Sequence, residues 1–572
     1  MTKIFLMNIP GGAFPSDYPP IAISRVIEGI DPSLSCEVSY INLDYYRPGF
    51  DEIKSQIESF APDIIGFSAM LTPSYVYFKK LSLFIGENFP DIIQVLGGQM
   101  AVISNIILLK TKVDFCVIGE SEPTFSNLIR KLQQCEFHLE GMKKFADIKG
   151  IVFLLNNIPY FTGYEKENIE KGLKQCNYKL MSKFTSLDNY IHPVDGQYFR
   201  VRLINSGINS FLNQCYPDNL KKNMATVFAS KGCVNRCTFC HRFYKGYKVI
   251  DSDEVIDYIE DIKEDLNIGL IMFSEENFGT NKKETAKLVE YLKSSGLNWG
   301  AGAVRVKTVN EETISTWCES GCVHINFGIE SLSQKMLDVM EKNSTVEDNL
   351  NAIRLCFKYN IFTVVCLVIG MPGETEETIE ETINNLITVV PDDINIPFEV
   401  NVNYVQAIPG TMVYEYAKRV GLIGQSLEEE EKYIESLYEI MAGELQHYLN
   451  FTDSIKEELA YWNYYINMEV VAEYIKKNGY IKVARNRKTR PYRIGLVYVL
   501  IPRRLRKFLL KYLIIVKSFG LSGLFRIFYK KISEKKVKKF QDINTSLRKI
   551  IQELPMTLRE DENSTAVFKT GH

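Results

Sequence analysis

Short runs of β-branched and other apolar residues recur along the first 130 positions: KIFLMN, CEVSYIN, DIIGFSAM, IIQVLGG and VDFCVIGE. Each is followed by a stretch long enough for an amphipathic helix. Five such runs alternating with helices predict a parallel, doubly wound, Rossmann-like sheet. Sheets of this kind bind ligands at the carboxyl ends of their strands. Those ends here carry Pro10 and Gly11, then Ser68, Ala69 and Met70, then Gly97 and Gly98, and last Gly119 and Glu120. Glycine lets backbone approach a large flat ligand or a phosphate, although a glycine can also simply end a strand.

From 140 to 215 the pattern is patchy. IKGIVFLLNNIPYFTG predicts a hairpin turning at Asn156 and Asn157, followed by polar, turn-rich sequence. The alternation resumes between about 225 and 415, with strand candidates ATVFAS, GLIMFSEE, WGAGAV, VHINFGIES, FTVVCLVIG and VNVNYVQ. Six strand-helix units predict a partial TIM-like barrel, with its catalytic loops at the carboxyl rim. Beyond Pro409-Gly410-Thr411 the pattern is helical, first in LEEEEKYIESLYEIMAGELQHYL and then in IPRRLRKFLLKYLIIVKSFGLSGLFRIFYKK. The expected layout is α/β: a Rossmann-like domain at 1–140, a linker with a small β-unit at 141–215, a partial (β/α)6 barrel at 216–420 and a helical extension at 421–572.

Hydrophobic residues at 46% and charged residues at 24% exclude a mainly disordered chain, and no run reaches the roughly 18 to 20 apolar residues of a spanning helix. The opening MTKIFLMNIPGGAFP is too short for the apolar core of a signal peptide, so a reducing, cytoplasmic setting is expected. There the twelve cysteines suggest metal binding or catalysis before disulfides. The net charge of −3 conceals an asymmetry: residues 481–540 hold nineteen Lys and Arg against Glu534 alone.

The stretch SKGCVNRCTFCHRF, residues 230–243, overlays three metal signatures. Cys237, Cys240 and His241 spell the haem-attachment pattern, which leaves Cys233 unexplained and needs an oxidising compartment. Zinc on three thiolates and an imidazole strains the adjacent Cys240 and His241, and no second C-x-x-C follows. Three thiolates at Cys233, Cys237 and Cys240 fit an iron-sulfur cluster best, holding three of four irons and leaving one open.

That arrangement, at the start of a six-unit barrel, resembles the radical S-adenosylmethionine superfamily, with Phe239 in the aromatic slot of its C-x-x-x-C-x-aromatic-C motif. The resemblance implies a 4Fe-4S cluster whose open iron chelates S-adenosylmethionine, cleaved by one electron to a deoxyadenosyl radical. It further implies contacts from Glu275 and Glu276 to the methionine amino group, from Arg305 and Glu330 to ribose and carboxylate, and from Ile369 and Gly370 to adenine. With the preceding doubly wound unit, the motifs YPPIAISRVIEGI, GFSAM, VLGGQMA and IGESEPTFSNL resemble the cobalamin-binding members of that superfamily, the class B methyltransferases among them. Cobalamin would then lie against the strand ends named above. The D-x-H-x-x-G motif is absent and none of the six histidines falls in the first 130 residues, so bound cobalamin would lack a lower histidine ligand from this domain.

The resemblance implies methyl transfer to an unactivated carbon of a small or lipid-like metabolite, with a flavodoxin or ferredoxin as electron donor. Cyclisation or rearrangement with the same cofactors is the alternative, and a cobalamin- or metal-binding regulatory protein is the non-enzyme reading. The basic region 502–540 is expected to pack on the barrel, with contact to an anionic membrane surface as the competing reading and nucleic acid the least favoured. A cytoplasmic, membrane-peripheral location belongs to that competing reading.

Overall fold

The computed structural model describes residues 1–12, 15–16, 18–70, 74–165, 174–193, 215–241, 246–394, 396, 398–437, 448–485, 495–532, 543 and 545–553. Parts of three expectations lie outside these residues: the second half of the 427–449 helix, much of the 166–214 segment, and the basic region beyond 532.

All five N-terminal strands form: β1 (Thr2–Asn8), β2 (Cys36–Asn42), β3 (Ile64–Ser68), β4 (Ile93–Gly97) and β5 (Phe115–Val117). They pair in parallel in the order β2-β1-β3-β4-β5, which places a topological switch between β1 and β3. The hairpin β6 (Ile151–Leu155) and β7 (Ile158–Phe161) turns at Asn156 and Asn157, both in the left-handed region at φ 53° and 63°. Rather than standing apart, it pairs antiparallel with β5 and extends this sheet to seven strands.

A second seven-stranded sheet has the order β16-β15-β14-β13-β12-β9-β8. Short β8 (His192–Pro193) is an antiparallel edge. The six barrel strands run in parallel: β9 (Asn223–Val227), β12 (Ile268–Phe273), β13 (Asn298–Val304), β14 (Cys322–Glu330), β15 (Phe362–Ile369) and β16 (Phe398–Tyr404). The remaining pair, β10 (Ser230–Gly232) and β11 (Tyr247–Val249), is a small hairpin that carries the cysteine loop. Met224, Leu270, Met272, Val323, Phe362 and Val364 close the base of the lumen as an apolar cluster, separate from the main core outside the strands.

The extension straps the two sheets together. The Leu427–Ser436 helix begins with a capping box, in which Ser426 and Glu429 satisfy each other's backbone N–H groups. Its Glu431 accepts from Tyr75 and Lys79 of the first domain, both at 2.6 Å, while neighbouring Glu430 accepts from Tyr414 and Lys418 of the barrel's last helix. Further on, the Lys456–Asn478 and Arg503–Ile532 helices pack together. Here the basic residues turn inward: Arg503 and Arg506 pair with Glu469, Lys507 with Glu376 and Glu380, and Lys511 with Glu458.

Glu469 is 2% exposed and also accepts from the Tyr498 hydroxyl. Removing a buried carboxylate leaves Arg506 buried without its partner, which costs about 3 kcal/mol. Glu469→Ala is therefore expected to raise hydrogen exchange across 495–519 while the barrel strands keep their protection. Unchanged exchange in that helix would contradict this docking.

Candidate active site at the barrel rim

The cysteine loop leaves β10 and is pinned from two sides. Thr238 N donates to Met340 O at 2.9 Å and its hydroxyl to Val339 O at 3.2 Å, while Asn235 Nδ2 donates to Lys342 O at 3.1 Å. From the other side Val413 N, opening the Met412–Arg419 helix, donates to Thr238 O at 3.1 Å. Cys233 and Cys237 are half-buried and Cys240 is open at the surface. Burial pushes the Cys237 thiol up, against the pull of Lys342 and Arg305.

Lys342, which sequence reasoning missed, belongs to this site. Its Nζ donates to Glu330 Oε1 at 2.9 Å and lies 5.9 Å from the centre of the Phe239 ring. Burial opposes its charge, but Glu330 and the Cys237 and Cys240 thiols outweigh that, and its pKa stands above the usual lysine value. The pair lies directly over Gly328: a Cβ there would stand 2.6 Å from Glu330 Oε1 and 2.7 Å from Lys342 Nζ. Glu330 takes a left-handed φ of 61° beyond a bulge in β14, a strained conformation of the kind that gathers at functional sites.

The structure separates the two glutamates of FSEEN. β12 ends at Phe273, and the bend at 275–277 takes the two side chains into different surroundings. Glu276 is close enough to Cys240 to act on its charge. Glu275 instead lies in a small cavity with Tyr247, Val255 and Leu288. There its Oε1 accepts from Ala229 N at 3.3 Å, and burial pushes the carboxyl up to about 8. It steadies the base of the cysteine loop through Ala229 N.

Ile369 packs into the outer core, and Gly370 (φ 89°) lies under the Tyr448 ring, whose hydroxyl donates to Gly370 O at 2.8 Å. Gly370 N donates to buried Glu374. The chain also returns over this rim, Ile543 covering Gly373 and Arg548 pairing with Glu341 and donating to Arg236 O. His241 is no loose loop residue: its Nδ1 lies 3.0 Å from Pro409 O, and burial lowers its pKa.

At the first sheet, Gly98 (φ 85°) closes onto Ala69, a Cβ there standing 2.7 Å from Ala69 O. Gly119 (φ 87°) faces open space and Met70 is exposed. Pro10 and Gly11 are buried, Gly11 N donating to Asp44 Oδ1 at 3.0 Å. Glu120 crosses to the barrel: its carboxylate pairs with Arg25 at 3.3 Å and with Lys231, in the strand before Cys233. Val102, after β4, lies beside Gly410, which in turn adjoins the His241 ring.

Residues 227–386 match the Radical SAM superfamily, and residues 7–129 match the B12 binding domain. The chain carries a radical S-adenosylmethionine domain and a B12-binding domain. It is 26% identical over 387 residues to the anaerobic magnesium-protoporphyrin IX monomethyl ester cyclase of Cereibacter sphaeroides, over 65% of this chain and 57% of that protein. The match to an uncharacterised methyltransferase of Pyrococcus horikoshii is also 26% identical, over 64% of this chain and 72% of the other. The segment shared with the magnesium-protoporphyrin cyclases thus spans about three fifths of their length. Among solved structures, the cobalamin-dependent radical enzyme OxsB shares the fold at TM-score 0.60 and 15% identity, over 97% of this chain and 79% of OxsB. TsrM of Kitasatospora setae, solved with cobalamin and a 4Fe-4S cluster, does so at TM-score 0.55 and 17% identity, over 72% of this chain and 77% of TsrM.

The radical S-adenosylmethionine match implies a 4Fe-4S cluster with S-adenosylmethionine, and the B12-binding match implies cobalamin. Among the described residues no three His, Cys, Asp or Glu side chains converge on a point for one ion. The rim nonetheless fits the cluster in donor chemistry: three free thiols on a pinned loop beside a buried lysine. The open shelf at Gly119 and Met70 fits a large flat ligand such as cobalamin.

A fixed cation beside a cluster favours the reduced state. Replacing it as Lys342→Met is expected to lower the cluster's midpoint potential by about 50–100 mV, one charge several ångströms away at an intermediate dielectric. Lys342→Arg is expected to stay near the parent value; equal potentials for Met and Lys would contradict the charge's role.

Burial pushes the Glu374 carboxyl up to about 8, from an ordinary 4.5. The folded chain then holds a proton that the unfolded chain releases, so stability falls as pH rises between those values. Glu374→Gln keeps an acceptor for Gly370 N and is expected to flatten the fall of Tm between pH 5 and 8; an unchanged slope would contradict a protonated Glu374.

Proposed function

We propose that this protein is a cobalamin-dependent radical C-methyltransferase acting on an unactivated carbon of a small or lipid-like metabolite. The observation that carries it is the meeting of two carboxyl rims: Glu120 after β5 pairs with Lys231, two residues before Cys233, and Val102 after β4 lies beside Gly410 and His241. The division of labour we infer is cobalamin binding by 1–140, a segment at 141–215 whose hairpin continues that sheet and whose remainder links onward, the radical barrel at 216–420 and the helical extension at 421–572.

When bound, the cluster with S-adenosylmethionine supplies hydrogen abstraction, and cobalamin supplies the methyl group. In this reading Cys233, Cys237 and Cys240 hold three irons, and Phe239, Arg305, Glu330 and Glu276 orient S-adenosylmethionine. Ile369 and Gly370 support the adenine turn from behind, where Tyr448 keeps them from water. Pro10, Gly11, Ser68, Ala69, Met70, Gly97, Gly98 and Gly119 cradle cobalamin, while Glu120 holds the two rims together. Glu275 positions the cluster loop rather than touching S-adenosylmethionine. Substrate enters beside β16, where Asn401 is exposed and Glu399 half-buried. A small carrier such as a flavodoxin or ferredoxin delivers the electron.

A second reading, radical cyclisation, is favoured by the 26% identity to the magnesium-protoporphyrin ester cyclase. Anaerobic reconstitution with iron, sulfide and cobalamin, followed by product analysis under reduction, separates the two. Deoxyadenosine together with S-adenosylhomocysteine is the expected result. Deoxyadenosine alone would favour cyclisation, and neither product, with no iron bound, would overturn both.

A further inference from the structure

The long C-terminal helix is turned opposite to an ordinary basic amphipathic helix. Arg503, Arg506, Lys507 and Lys511 face the protein and are matched by Glu469, Glu376, Glu380 and Glu458. Leu505, Phe508, Leu509, Leu513 and Val516 face away and are 40–66% exposed. Their spacing of three and four places them on one stripe, which ends before the break at Gly520 (φ 65°). Val497 and Leu500, just before the helix, are about 70% exposed as well. Contiguous large apolar side chains of this kind seldom stand open on a soluble monomer.

Charge identifies the occupant. Arg504 and Lys517 are exposed, and the helical rotation per residue sets them on opposite flanks of the stripe. Lys482 and Arg485, in the preceding Tyr480–Arg485 helix, are exposed too, within a region of nineteen basic residues and one acid. A second copy docked through the same stripe would bring like charges together. An anionic bilayer offers apolar depth and opposite charge at once. No described helix is long and apolar enough to cross a membrane, and a stripe flanked by cations suits a helix lying in the interface plane.

We propose that this stripe seats the protein on an anionic lipid bilayer, Phe508 and Leu513 entering the acyl boundary while Arg504 and Lys517 meet the headgroups. The site is separate from the barrel rim and does not depend on which reaction the rim performs. Four of the cations that the sequence offers to headgroups are already matched by the protein's own carboxylates, so the apolar edge leads the contact.

Full-length protein is tested by flotation with vesicles of phosphatidylglycerol and phosphatidylcholine, against phosphatidylcholine alone. Binding to the anionic vesicles, weakened by salt, is expected. Phe508→Ser with Leu513→Ser is expected to reduce it about tenfold or more at unchanged far-UV circular dichroism. Arg504→Gln with Lys517→Gln, which leaves the helix packing untouched, is expected to reduce it severalfold on anionic vesicles only. Parent protein that fails to float, or serine and glutamine variants that float like the parent, would overturn the proposal. So would a dimer that the serine variant dissolves in the absence of vesicle binding.

Discussion

Ion pairs that cross between the two sheets are the constraint on which the rest of the molecule depends. Buried apolar side chains run as one cluster through the first sheet, the barrel and the extension, but apolar burial is non-directional and does not by itself set which way the rims face. Glu431, reached by Tyr75 and Lys79, and Glu120, reached by Arg25 and Lys231, set that orientation. Exposed ion pairs contribute little stability, but these carboxylates are 10–20% exposed and each is shared by at least two partners, which fixes geometry as well as energy. One ties the back of the assembly through an acidic helix. The other stands at the mouth, next to the strand that delivers Cys233.

Within the barrel the same logic operates at shorter range. The described residues of the cysteine loop, 233–241, have no regular structure of their own, so their position comes from the 339–342 segment and the start of the last barrel helix. Lys342 joins the two roles: its carbonyl holds Asn235 of the loop and its ammonium sits with Glu330 above Gly328. A cation in the lumen beside three thiols prepares the rim for an anionic centre. The glycine beneath leaves room for the pair, since a Cβ there would force the ends of both side chains to shift.

Much of this was legible in the sequence, for physical reasons that also mark where reading stopped. All six barrel strands and the five of the first sheet were readable because alternating apolar runs bounded by turns leave few other options. Cys233, Cys237 and Cys240 were readable because their spacing is local. Lys342 was not, since it reaches the site from a loop about a hundred residues along the chain. Glu275 and Glu276 could not be told apart, because they lie in a bend beyond the end of β12 where strand alternation no longer applies. The hairpin's attachment to β5 and the inward turn of the basic helix depend on partners in other elements, Glu376, Glu380, Glu458 and Glu469 among them, that composition does not pair.

The facing rims have one direct physical consequence. In reconstituted protein, a reduced 4Fe-4S cluster and paramagnetic cobalt held on the two rims must feel each other's magnetic moments. Electron paramagnetic resonance at low temperature measures this: adjacent rims predict a cobalt signal broadened, and relaxing faster, when the cluster is reduced, and a weaker effect in Glu120→Ala. Two independent, unperturbed signals would contradict the arrangement.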